Sequence, residues 1–62
     1  MVKIAGWTVY GINIIPSDSM YQTIERFIRS GKLEQHKLQM TTGFMSPIII
    51  DDKRKTISFE RF

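Results

Sequence analysis

The chain of 62 residues has no cysteine and a single histidine, His36. The absence of cysteine excludes disulfides and thiolate metal sites. One histidine leaves little with which to build a metal cage. We therefore expect no cofactor and no metal, and the stability of so small a fold must come from tight packing or from self-association.

Long hydrophobic runs are also missing. The longest unbroken aliphatic run is Ile48-Ile49-Ile50, whereas a membrane-spanning helix needs ~20 apolar residues. After Met1, the segment that carries Trp7 and Tyr10 lacks the apolar centre of a signal peptide. We expect no membrane contact and a cytoplasmic location. Because the chain starts with Met1 and shows no tag, we interpret it as a complete small gene product.

Catalytic motifs are absent too. The four glycines are scattered singly, so there is no glycine-rich phosphate loop. His36 as a general base would need a partner that no nearby motif supplies, and residues 17–19 (Ser-Asp-Ser) are explained by helix capping rather than by a nucleophile pair. Asp51-Asp52, followed by three cations, is typical of a turn and poor as a cation site. We expect a protein that is not an enzyme.

A chain of this length makes one domain, which we take to span residues 1–62. Such a domain buries only about 60% of the surface that its unfolded chain exposes. Since disulfides are excluded, we expect a homo-oligomer.

Residues 2–15 are rich in β-branched and aromatic side chains, which favour a strand. Gly6 and Gly11 interrupt this segment, so it forms either one long bent strand or two short ones. Trp7 and Tyr10 are interpreted as core residues, with an exposed stacking or protein-binding pair as the alternative.

Residues 19–30 are predicted to form a helix. A capping box of Ser19 and Gln22 begins it, with Asp18 or Ser17 as alternative caps. Gly31 is placed to end it in a left-handed conformation. The apolar stripe expected to face the sheet consists of Met20, Ile24, Phe27 and Ile28.

The remaining residues are predicted as three strands, 33–42, 45–50 and 56–62. In the first, His36, Leu38 and Met40 alternate with polar residues, which indicates one buried face. Thr42-Gly43 is predicted as a turn, Pro47 lies near the start of an edge strand, and a polar turn joins the last two strands into a hairpin. The expected fold is α+β, with one helix packed on a small, mostly antiparallel sheet of three to five strands in the order β(β)-α-β-β-β.

The net charge of +3 favours acidic partners. Two basic groups stand out, and solvated surfaces of mixed charge are the alternative interpretation of both. The candidate contacts for nucleic acid are Lys53, Arg54 and Lys55 on the hairpin turn, and Arg26, Arg29 and Lys32 near the helix end, with Lys37 a few residues later. We expect a small nucleic-acid-binding accessory or regulatory protein. The alternative is a protein-interaction module or inhibitor that docks on another protein through a sheet edge or an apolar patch.

Two family resemblances bear on this expectation. The run Ile28-Arg29-Ser30-Gly31-Lys32-Leu33 resembles the helix-then-wing entry of excisionase-type and MerR-like DNA-binding modules, which have an earlier helix where residues 7–15 are predicted here as strand. A second resemblance is to the small RemA-type bacterial regulators, and it lies in the order of the segments along the chain. The first half has Ile12-Asn13-Ile14-Ile15, a serine-rich cap, a helix and Gly31-Lys32-Leu33. The second half has Thr41-Thr42-Gly43, Ile48-Ile49-Ile50-Asp51 and Thr56-Ile57-Ser58-Phe59. That resemblance implies an oligomeric DNA binder. The basic run of that family is replaced here by Phe44-Met45-Ser46-Pro47, so no DNA-contact residue is carried over.

Overall fold

Two helices and one four-stranded sheet make up the fold. The structure is a computed structural model that describes residues 1–45 and 48–59. Its elements, in chain order, are β1 (Val2–Ile4), β2 (Trp7–Tyr10), α1 (Ser19–Ser30), α2 (Gln35–Thr42), β3 (Ile49–Asp51) and β4 (Thr56–Ser58). The α+β class is confirmed, and the predicted order is confirmed in part: four strands and helix α1 are present, but a second helix stands where the strand 33–42 was expected.

The first segment forms a tight hairpin. Ile4 pairs with Trp7, and the two residues between them both have positive φ, 49° at Ala5 and 86° at Gly6. Two-residue hairpin loops favour this geometry because its twist matches that of the flanking strands, and glycine adopts it without steric cost. Residues 2–15 therefore contain two short strands rather than one bent strand, and the second ends at Tyr10.

Helix α1 has the predicted bounds. Gly31 has a φ of 71°, and its N–H donates to the carbonyl of Ile28, as expected for a left-handed helix end. The predicted capping box is wrong: Asp18 holds the cap position, and its carboxylate accepts from the N–H of Ile15 at 2.9 Å instead of from the helix. The side chain of Asp18 thus closes the turn that precedes the helix instead of capping its first N–H groups.

The predicted strand 33–42 is wrong, because this segment contains α2. The carboxylate of Glu34 accepts from the backbone N–H groups of His36 and Lys37, each at 2.9 Å, and so begins a helix. Gly43, with a φ of 72°, ends that helix where a simple turn was expected. The residues between are mostly straight-chain types, which lose little side-chain freedom in a helix. Of the three residues assigned to a buried strand face, Leu38 is buried, whereas His36 and Met40 are exposed.

The strands lie in the order β1-β2-β4-β3. The β1–β2 and β3–β4 pairs are antiparallel hairpins, and the central pair β2–β4 is parallel, so the sheet is mixed. The predicted final hairpin is confirmed, with strands shorter than the expected ranges 45–50 and 56–62. Pro47 and residues 60–62, which belong to those ranges, lie outside the described residues.

The core lies on one face of this sheet. The strand pairing places Ile4, Val9 and Ile57 on the same face, and both helices pack there through Ile24 and Leu38. Trp7 is buried as predicted, but Tyr10 is 37% exposed, because it lies on the opposite face with Thr8. Among the described residues, neither helix has the length and apolarity needed to cross a membrane.

Ile24→Ala tests how much α1 depends on this core. Ile24 is fully buried, so its truncation leaves a cavity, and we expect a loss of about 2–5 kcal/mol in the free energy of unfolding. The matched control is Ile15→Ala, the same change at a side chain that is 60% exposed, which we expect to cost less than about 0.5 kcal/mol. Urea denaturation of both variants measures the difference, and equal midpoints would contradict the observed packing of α1.

Candidate nucleic-acid interface

The six candidate cations occupy two separate parts of the fold. Lys53, Arg54 and Lys55 lie in the turn between β3 and β4, residues 52–55, which we call the hairpin tip. Arg26, Arg29 and Lys32 lie on α1 and directly after it.

A carboxylate shapes the hairpin tip. Oδ1 of Asp51 accepts from the backbone N–H groups of Lys53 at 3.0 Å and Arg54 at 3.2 Å. Its Oδ2 is 3.9 Å from Nε of Arg54, whose side chain is 83% exposed. An aspartate that bonds to the backbone two and three residues ahead stabilises a turn, as the sequence predicted for Asp51. The side chains of Lys53 and Arg54 are thereby presented to solvent from a defined backbone.

Lys55 is placed differently from its two neighbours. Its backbone has a φ of 53°, and its carbonyl accepts from the N–H of Thr8 at 2.9 Å. Its Nζ lies 5.4 Å from the centre of the Trp7 ring, within the range of a cation–π contact. Lys55 therefore anchors the hairpin tip to β2, while the side chains of Lys53 and Arg54 are exposed, that of Arg54 beside the Asp51 carboxylate.

A groove of about 400 Å³ lies between α1 and α2. We call it the helix groove, and its lining consists of Thr23, Arg26, Phe27, Ser30, Lys32, Lys37 and Thr41. Residues on one face of α1 recur at spacings of three and four, and Lys37 and Thr41 are one helical turn apart on α2. The three charged residues in this lining are all cations. Phe27, which is half-buried, supplies its apolar part.

The three cations predicted to act together near the end of α1 do not all lie at the same site. Arg26 and Lys32 line the helix groove, whereas the guanidinium of Arg29 lies 3.4 Å from the carboxylate of Glu25, one turn earlier. That pair is largely exposed and contributes only a few tenths of a kcal/mol. Arg29 is therefore weakly paired with a neighbour on its own helix and is not among the residues that line the helix groove.

Lys37 joins the site because its segment is helical. In the predicted strand it shared the solvent-facing side with its polar neighbours, but α2 turns it toward α1. The signal that could have indicated this is the placement of Glu34 and Gly43 at the two ends of the segment, where they cap a helix.

The carboxylate that caps α2, that of Glu34, is also bonded to the backbone of Lys37, one of the groove cations. The backbone N–H of Lys37, then that of His36, holds the pKa of the Glu34 carboxyl below its ordinary value, with smaller contributions from the charges of both side chains. The anionic form is therefore favoured in the folded protein, and it is committed to the helix backbone next to Lys37.

In residues 1–45 and 48–59, no group of three or more histidine, aspartate or glutamate side chains is arranged to hold a metal ion. Comparison of the chain with protein-family models, with curated proteins and with solved structures finds no match in any of the three.

Glu34→Gln should change how stability responds to acid. Since the folded-state pKa is lowered, the carboxylate stabilises the fold above its unfolded pKa, and this contribution is lost as the pH falls through the folded value. Wild type should therefore melt at a higher temperature than Glu34→Gln at pH 6, and the two curves should converge at lower pH. The control is Asp52→Asn, which removes one exposed carboxylate from the hairpin tip. A constant difference between wild type and Glu34→Gln from pH 7 to pH 3 would contradict the cap.

Proposed function

We propose that this protein is a small, non-enzymatic nucleic-acid-binding accessory or regulatory protein. It contacts the phosphate backbone through the cations of the helix groove and of the hairpin tip. The observation that carries the proposal is the convergence of Arg26, Lys32 and Lys37 on one groove.

These three cations come from α1, from the connection between the helices and from α2. Like charges brought together repel one another, so such a cluster favours an anionic partner that offsets the repulsion. The nearby carboxylate of Glu34 bonds to the α2 backbone, and that of Glu25 is paired with Arg29. The phosphate backbone of nucleic acid supplies closely spaced anions of the required charge.

The hairpin tip supplies the second contact. Phosphate contacts fix the position of a protein on nucleic acid without specifying sequence, and exposed lysine and arginine side chains provide them. Lys53 and Arg54 are held by the hydrogen bonds of Asp51, so the backbone of the tip is ordered before binding. Binding then requires only the side chains to be ordered, which lowers its entropic cost.

The double variant Lys53→Gln/Arg54→Gln tests this assignment. It should bind both duplex and single strands more weakly, and the plot of log affinity against log salt should become shallower by roughly 0.9 on duplex for each phosphate that the variant no longer neutralises. Lys55 is left in place because of its contact with Trp7. The control is Lys3→Gln/Arg29→Gln, which makes the same change in net charge at cations that belong neither to the hairpin tip nor to the lining of the helix groove.

Fluorescence anisotropy with labelled oligonucleotides over a range of salt concentrations gives both quantities. If the two double variants weaken binding equally, net charge rather than the hairpin tip is responsible. If wild type binds neither DNA nor RNA at low salt, the nucleic-acid proposal is wrong.

The second candidate function is a protein-interaction module, and one observation favours it. Strand β3 lies at the edge of the sheet, and its Ile49 is 49% exposed, with Met45 90% exposed shortly before it. An edge strand offers unpaired backbone groups to a strand of another chain, and an exposed isoleucine adds apolar contact area. A second copy of this chain would satisfy both, in keeping with the expected homo-oligomer.

Ile49→Lys should reduce such pairing, because a charge on an edge strand must be desolvated when another strand docks. Sedimentation velocity over a range of concentrations should show association for wild type and a smaller fraction associated for the variant. Ile15→Lys is the control, since Ile15 is 60% exposed and lies outside the sheet. If wild type is a strict monomer at high concentration, self-association through β3 is ruled out.

A further inference from the structure

The helix groove combines charge with an apolar floor, and together they identify a ligand more specific than a phosphate. We propose that the groove receives one nucleotide of an unpaired strand, with its phosphate among Arg26, Lys32 and Lys37 and its base against Phe27. This inference rests on the proposed function and adds the substrate class, single-stranded rather than duplex nucleic acid.

The charges place the phosphate. Arg26 lies on α1, Lys37 on α2 and Lys32 in the short connection between them, so cations from three successive segments line the same groove. An arginine offers a planar fork of N–H donors and lysines offer compact charges, and both suit phosphate oxygens. The lining contributes three positive charges and no negative one.

The apolar part of the groove places the base. The ring of Phe27 lines the space between the helices, and the aliphatic stems of the arginine and lysines add apolar surface below their charged ends. Inorganic phosphate would leave this surface in water. A nucleobase covers it, because every base has a flat apolar face that stacks on aromatic side chains regardless of sequence.

Three hydroxyl groups in the lining offer hydrogen-bond acceptors to the base. Thr23 donates to the carbonyl of Ser19 at 2.9 Å, and Ser30 donates to that of Phe27 at 3.1 Å. Their protons are thus committed to α1. The Ser30 oxygen also accepts from the N–H of Lys32 at 3.4 Å, and each hydroxyl oxygen retains a further lone pair as acceptor. Thr41, exposed on α2, adds a third hydroxyl on the facing helix. These groups suit the N–H donors on the edge of a base.

The size of the groove favours binding of a single strand over a duplex. Its volume of about 400 Å³ lies in the range of small-ligand sites, ~300–1,000 Å³. A base within a duplex is stacked and paired, and it reaches a protein pocket only after that stacking is broken. An unpaired strand offers its bases without this cost, so it should be preferred over a duplex of the same sequence.

Two adjacent residues of α2 allow a matched test. Thr41→Glu places a carboxylate in the groove lining, whereas Met40→Glu places the same charge on the neighbouring residue, which is 71% exposed and does not line the groove. Both changes lower the net charge equally and lie near the same helix end. Circular dichroism and the melting temperature are measured first, to check that both variants fold.

Wild type should bind a labelled thymidine oligonucleotide several-fold more tightly than a duplex of the same length. Thr41→Glu should weaken the single-strand affinity by about tenfold, because it opposes like charges, while Met40→Glu should stay within about twofold of wild type. Thymidine monophosphate should compete at concentrations where inorganic phosphate and polyglutamate do not.

The results that would overturn the inference differ from those that would overturn the proposed function. Equal effects of Thr41→Glu and Met40→Glu, or equal affinity for single strands and duplex, remove the groove as the nucleotide site while leaving backbone binding intact. Competition by inorganic phosphate as strong as by the nucleotide removes the base contact with Phe27. If polyglutamate competes as strongly as the nucleotide, the ligand of the groove is an acidic peptide rather than a nucleotide. If wild type binds no nucleic acid at all, the proposed function itself is wrong.

Discussion

The carboxylate of Glu34 accepts two backbone N–H groups at the start of α2, and the arrangement of the second half of the fold follows from that capping interaction. A helix this short gains little from its own hydrogen bonds and depends on its ends and on tertiary packing. Here Glu34 satisfies the first N–H groups, Gly43 allows the left-handed ending, and Leu38 is buried in the core. Because the segment is helical, Lys37 and Thr41 lie on one side of α2 and form a wall of the helix groove.

The sheet provides the fixed platform on which both helices pack. Its two hairpins meet along the parallel pair β2–β4, so the strands with the most complete pairing lie at the centre and β1 and β3 at the edges. Val9 and Ile57 are paired there and are both fully buried. Both helices cover the same face. One face therefore carries the core, while the hairpin tip extends from the end of the sheet.

Charge is distributed unevenly over this framework. Three carboxylates near the basic residues take part in structure: Glu34 caps α2, Asp51 shapes the hairpin tip, and Glu25 pairs with Arg29. Asp52, by contrast, is exposed within the hairpin tip and offsets part of its charge. The helix groove is the more positive of the two surfaces, because its lining carries three cations and no carboxylate.

The sequence by itself determined the elements whose signals are local. Helix α1 and its end at Gly31, the β3–β4 hairpin with its cationic tip and the burial of Trp7 were predicted, because caps, turns and an apolar stripe act within a few residues of one another. For residues 35–42 the local signals conflict, because alternating polarity suits a strand whereas Glu34 and Gly43 suit the two ends of a helix, and the tertiary structure decided between them. Their alternating polarity suited a strand, but one buried side chain, Leu38, satisfies the core and leaves the long polar side chains free to adopt the helix they intrinsically favour. The parallel pairing of β2 with β4 and the division of the helix cations were likewise beyond prediction, because both depend on which face of each element meets its neighbour. A local pattern does not determine that choice, since it is made by the burial of apolar surface from distant parts of the chain.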